Sequence, residues 1–93
     1  MKIEFDLAKS AKNARERGLP FELVEDFEWE SAVVSRDDRF PYTETRFNAL
    51  GFIGKRLRIV CFTAIAGGIR VISFRKANDR EGRRYEEEKT SDG

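Results

Sequence analysis

The apolar positions between residues 45 and 74 fall into three extended runs: "TRFNALGFI" (45–53), "KRLRIVCFTAI" (55–65) and "IRVISF" (69–74). Gly54-Lys55 separates the first two and Gly67-Gly68 the last two, and both pairs are hairpin signals. The pattern predicts three strands in an antiparallel meander. Upstream, "KIEF" (2–5) and "SAVVSR" (31–36) read as short strands. "DDRFPYTE" (37–44) reads as a turn or loop, marked by Asp37, Asp38 and Pro41.

Three stretches carry helical signals. Asp6 suits an N-cap, "LAKSAKNARER" is rich in helix formers, and Gly18 suits the residue after a helix end, which predicts a helix over 7–17. Its apolar stripe of Leu7, Ala8, Ala11 and Ala14 is thin, so this helix must lie close to its support. Pro20 suits a helix start, and Phe21, Val24 and Phe27 share a face, which predicts a short second helix over 21–28 with an acidic outer side. Asn78 followed by Glu81 has capping-box spacing and predicts a third helix to about Glu88, with 89–93 frayed. The order β-α-α-β-β-β-β-α is an α+β pattern.

Composition narrows the picture. A chain of 93 residues predicts one domain, 1–93. Charged residues make up 38%, yet eight Phe and many Val and Ile remain to build a core. The lone Cys61 forbids an internal disulfide and fits a reducing compartment; within "LRIVCFTAI" it reads as a buried, inert thiol. "MKIEFDLAKS" lacks the apolar core of a signal peptide, and no apolar run has the length of a membrane span. The expected location is the cytoplasm, with no membrane partner. Histidine is absent, which removes the commonest general base and argues against a zinc site. No metal or cofactor is expected.

The net charge of +1 hides a division. Residues 1–38 carry 6 cations and 10 anions, a net −4, and residues 39–85 carry 11 cations and 3 anions, a net +8. Such asymmetry points to a nucleic-acid or acidic-protein partner. Neither phosphate-binding glycine motif is present. The arginines remain, because Arg holds phosphate bidentately and stays charged. Arg70 and Arg75 have opposite parity along their strand, which sends them to opposite faces unless the strand bulges or ends first. Arg80, Arg83, Arg84 and Glu87 form one polar stripe on the third helix, readable as a solvated face.

Several stretches together resemble the BrnT family of toxins from bacterial type II toxin–antitoxin systems. "FDLAKSAKNARERG" is similar to the family's D-x-x-K-x-x-x-N-x-x-K-H-G through Asp6, Lys9, Asn13 and Gly18. "TETRFNALG" is similar to E-x-R-x-x-x-x-G through Glu44, Arg46 and Gly51. "IRVISFRKANDREGRRYE" resembles the closing I-R-I-I-S-A-R-K-A stretch through Arg70, Ile72, Ser73, Arg75, Lys76 and Ala77, followed by Glu81 and Tyr85. The likeness spans about residues 3–86. One departure stands out: the family's K-H-G is Glu16-Arg17-Gly18 here, and Arg17 cannot serve as a base.

The resemblance implies a RelE-like fold, a twisted and mainly antiparallel sheet with two N-terminal helices and one C-terminal helix. It implies a ribonuclease that inhibits translation by metal-independent cleavage of RNA. Arg46, Arg70 and Arg75 are then the candidates for neutralising phosphoryl charge, Tyr85 for stacking a base or protonating the leaving oxygen, and Glu44 for the base. Lys9, Lys12, Arg17 and Lys76 are candidates for holding RNA, and Glu81 reads better as a cap. The implied partner is a BrnA-type antitoxin that neutralises the toxin, supplies contact with operator DNA and draws the pair into a larger assembly. The rival readings are a non-catalytic partner-binding module and a direct DNA binder.

Overall fold

The computed structural model describes residues 1–91. Five strands form one mixed sheet: β1 (Lys2–Glu4), β2 (Val33–Asp37), β3 (Arg46–Ile53), β4 (Arg56–Ile65) and β5 (Gly68–Lys76). Their order is β1-β5-β4-β3-β2, with β1 parallel to β5 and every other pair antiparallel. The architecture is therefore α+β, and the meander has four strands rather than three. The second hairpin turns one residue early, since Gly68 already belongs to β5. Gly68 also lets β1 close on the sheet, because a Cβ there would overlap the Lys2 carbonyl.

Helix α1 (Leu7–Arg17) has the expected bounds. The Asp6 carboxylate accepts from the Ala8 and Lys9 amides, and Gly18 ends the helix at φ 70°. Its thin stripe is compensated by hydrogen bonds. The buried Ser10 hydroxyl accepts from the Phe21 amide at 2.8 Å and donates to Glu22, while Asn13 donates to the carbonyls of Leu19 and Phe74 at 2.6 and 2.8 Å. α1 is thereby fixed beside β5, past the point where β1 ends.

The second helix is not an α-helix. Phe21–Asp26 is a 3-10 helix, and a second short one covers Trp29–Ser31. The reason lies in the apolar spacing itself. Phe21, Val24 and Phe27 recur every three residues, which aligns them at three residues per turn and makes them drift at 3.6. With Leu19 they pack on Ala49, Val60, Phe62, Ile69, Val71 and Phe74 of one sheet face. Trp29 extends this cluster, its ring meeting Phe27 and Phe62 edge-on at 4.6 and 5.4 Å.

Helix α2 (Asp79–Ser91) runs past its expected end at Glu88, and the part of the predicted frayed tail at 92–93 lies outside the described residues. It begins with the reciprocal cap foreseen from the sequence: Asn78 Oδ1 accepts from the Glu81 amide at 2.8 Å, and Glu81 Oε1 from the Asn78 amide at 2.9 Å. α2 reaches the second sheet face at one end, where Tyr85 meets Phe52 edge-on at 5.3 Å. Among the described residues, no helix is long and apolar enough to cross a membrane.

Candidate functional site

The face of the sheet opposite the core carries the polar chemistry, and one irregularity organises it. On β4 and β5, Phe62 pairs with Val71 but Cys61 pairs with Ser73, so Ile72 is an extra residue, a β-bulge. Arg70 consequently lies opposite Thr63 and Arg75 opposite Ile59. Thr63 and Ile59 are four residues apart on an unbroken strand and share a face. The two arginines therefore share that face as well, and the separation expected from unbroken alternation does not occur.

Register then defines three rows across this face. The outer row links Glu4, Arg70 and Thr63, with Arg46 opposite Asp37 continuing it on β3 and β2. The middle row is Ser73, Cys61, Asn48 and Ser35. The third holds Arg75, Ile59, Leu50 and Val33. Arg46 and Arg75 thus flank the Cys61–Asn48 row from opposite sides, while Arg70 stands near the β1 edge.

Each arginine is held by a carboxylate. Arg70 donates to Glu4 at 2.8 Å, and this hydrogen bond, then the Arg70 charge, lowers the Glu4 pKa. Arg75 makes a two-pronged contact with Glu81, both nitrogens at 2.9 Å. That contact raises the Arg75 pKa and lowers that of Glu81. Arg46 donates to Glu44 at 3.3 Å and lies 4.1 Å over the Tyr42 ring. The Thr43 hydroxyl, then Arg46, holds the Glu44 carboxyl below its usual range, so it is a weak base.

Asp37 and Arg39 fall in the stretch that reads from the sequence as a turn or loop, yet they form a two-pronged ion pair beside the arginine rows. Asp37 ends β2 and is 5% exposed. Its two oxygens accept from Arg39 Nε and Nη2, each at 2.9 Å, and one also accepts from the Arg39 amide. The Arg39 hydrogen bond brings its pKa down to about 2, with burial opposing, so the carboxylate stays ionised through the physiological range. Arg39 is thereby folded back onto the end of β2. Nothing in local periodicity signals this contact, because it depends on Asp37 pointing inward from the end of β2. Cys61 lies beneath this group, and burial pushes its thiol pKa up, as an inert thiol requires.

The other expected site residues lie elsewhere. Lys9, Lys12 and Arg17 line an open groove with Asn13, Ile72 and Ser73, between α1 and the free edge of β5. Lys76 shares a neighbouring hollow with Arg17. The Tyr85 hydroxyl donates to the Ser31 carbonyl at 3.0 Å, beside Phe52, and is not brought to the arginines. Among the described residues, no group of three or more Cys, Asp or Glu side chains is placed to hold a metal ion.

A family model described as the ribonuclease toxin BrnT of type II toxin–antitoxin systems matches residues 5–81. The chain belongs to the BrnT family. Membership makes it a ribonuclease toxin by family and implies an antitoxin partner. The matched span includes Arg46, Arg70, Arg75 and the whole Asp37–Arg46 segment, but ends before Tyr85. No curated protein and no solved structure matches the chain significantly. Within this BrnT sequence Arg17 lies on the last turn of α1 and lines the groove rather than the arginine rows.

Proposed function

We propose that this BrnT protein is a single RelE-like domain that cleaves RNA at the arginines on the sheet face opposite the core, without a metal ion. The supporting observation is the bulge at Ile72, which puts Arg70 and Arg75 on the face that also carries Arg46. In the reaction, the 2′-OH attacks the adjacent phosphorus in line, the 5′ oxygen leaves, and a 2′,3′-cyclic phosphate results. Arg46 and Arg75 neutralise the phosphoryl oxygens from two sides, with Arg39 as a third cation and Arg70 on the flanking phosphate. Glu44 accepts the 2′-OH proton, and water supplies the proton that the departing 5′ oxygen takes up. Since Glu44 is a weak base, charge neutralisation supplies more of the acceleration than proton abstraction does. Lys9, Lys12 and Arg17 carry the RNA backbone around the β5 edge, with Lys76 beyond them. Tyr85 is assigned to bracing α2 on the sheet. The protein acts in the cytoplasm and is neutralised by a BrnA-type antitoxin, through which the pair contacts operator DNA in a larger assembly.

One observation favours the rival reading of a non-catalytic binding module: all four arginines already have carboxylate partners. Induced expression separates the two. The wild type should arrest growth, co-expression of the cognate antitoxin should restore it, and an Arg46→Ala, Arg75→Ala double variant should be harmless while accumulating as folded protein. A wild type that leaves growth unaffected, or a double variant that arrests it equally, contradicts the ribonuclease reading.

A further inference from the structure

The segment joining β2 to β3 presents an aromatic side chain that the fold does not use. Phe40 is 63% exposed, lies outside the core cluster and meets the Tyr42 ring in a T-shaped arrangement, the centroids 5.8 Å apart at 74°. Tyr42 is fixed from several directions. The Arg46 guanidinium lies over its ring, its hydroxyl is 3.5 Å from Asp37 Oδ2, and its amide donates to the Phe40 carbonyl at 2.9 Å. The Asp37–Arg39 contact pins the start of the same segment. Phe40 is therefore an apolar ring held out in solvent on a braced support, at the rim of an open hollow of about 500 Å³ that Arg39 and Arg46 also line.

A flat apolar ring beside phosphate-binding cations is the combination that takes a single-stranded nucleotide. The ring stacks on the base, whichever base it is, and the cations hold the backbone. We propose that Phe40, supported by Tyr42, is a base-stacking subsite for the nucleotide next to the phosphate gripped by Arg46. The inference deepens the ribonuclease reading and rests on it for the place of the scissile phosphate. It makes single-stranded RNA the substrate, because a base inside a duplex cannot splay onto the ring. Preorganisation by Asp37 and Arg46 keeps the ordering cost of this contact low.

Binding is measured free of cleavage with a fluorescein-labelled hexanucleotide RNA carrying 2′-O-methyl groups throughout, read by anisotropy. Phe40→Ala is expected to weaken binding by about 5- to 150-fold, the range for loss of one base–aromatic stack. Phe40→Trp should restore it and show indole quenching as RNA is added. Phe40→Leu, equally apolar but without a π face, should stay weak. Because the side chain is exposed, all three variants should unfold at the wild-type temperature. Wild-type affinity in Phe40→Ala or in Phe40→Leu overturns the subsite, as does a Phe40→Ala defect confined to antitoxin capture. Phe40-dependent binding by a wild type that cleaves no RNA upholds the subsite and refutes the cleavage reading.

Discussion

Replacing Arg46 or Arg75 by alanine is expected to lower the rate of RNA cleavage by about 10²- to 10³-fold each, the scale seen when one preorganised charge-stabilising donor is removed. The two sit on opposite sides of the Cys61–Asn48 row, so each faces a phosphate placed between them from a different direction. Arg70→Ala should cost less, about tenfold, because Arg70 stands by the β1 edge with a side chain 52% exposed and screened by water. Single-turnover cleavage of one labelled RNA gives the comparison. Equal, small losses at all three positions would remove the distinction between central and flanking arginines. The folded state should survive each change. Losing Arg46 leaves the exposed Glu44 still bonded to the Thr43 hydroxyl, and losing Arg75 leaves Glu81 still bonded to the Asn78 amide.

Phe74→Ala should do damage of a different kind. Phe74 is fully buried at the centre of the core face, and its backbone carbonyl receives the Asn13 amide that holds α1 beside β5. Removing such a ring costs about 3–5 kcal/mol through lost burial and the cavity left behind. Against a total of about 5–15 kcal/mol for a small domain, that is a large share of what keeps the chain folded. Thermal unfolding followed by circular dichroism should show a fall of roughly 12 °C or more, taking about 4 °C per kcal/mol. Arg75 follows Phe74 directly on β5, so the arginine face should lose its geometry as the strand loosens. A variant that unfolds within a few degrees of the wild type would mean that the core does not hold β5 in place.

What the sequence made legible were the features written locally. Asp6 and Gly18 bounded α1, and Asn78 with Glu81 marked the start of α2, because caps are made by residues three or four apart. The glycine-marked turns located the hairpins. The second helix was mistaken because an i, i+3, i+6 series fits both helical periods over so short a run, and only packing on the sheet distinguishes them. The face shared by Arg70 and Arg75 was invisible for a deeper reason. A bulge is a mismatch between two strands, so the Ile72 insertion exists only relative to Cys61 and Phe62 on β4. Asp37 and Arg39 were missed on similar grounds. An "Asp-Asp-Arg" stretch looks like a solvated turn until the end of β2 directs Asp37 inward. The family likeness supplied Arg46 and Glu44 as a pair, and the register gave their neighbours.

The account stands on metal-independent cleavage at the arginine-bearing face, and the ends of the RNA fragments test it most directly. Purified protein, freed of its antitoxin, would be incubated with total RNA in excess EDTA, and the fragment termini analysed. Cleavage that persists and leaves 2′,3′-cyclic phosphate and 5′-hydroxyl ends is the predicted result. Intact RNA at micromolar protein, or fragments ending in a 5′-phosphate, would contradict it.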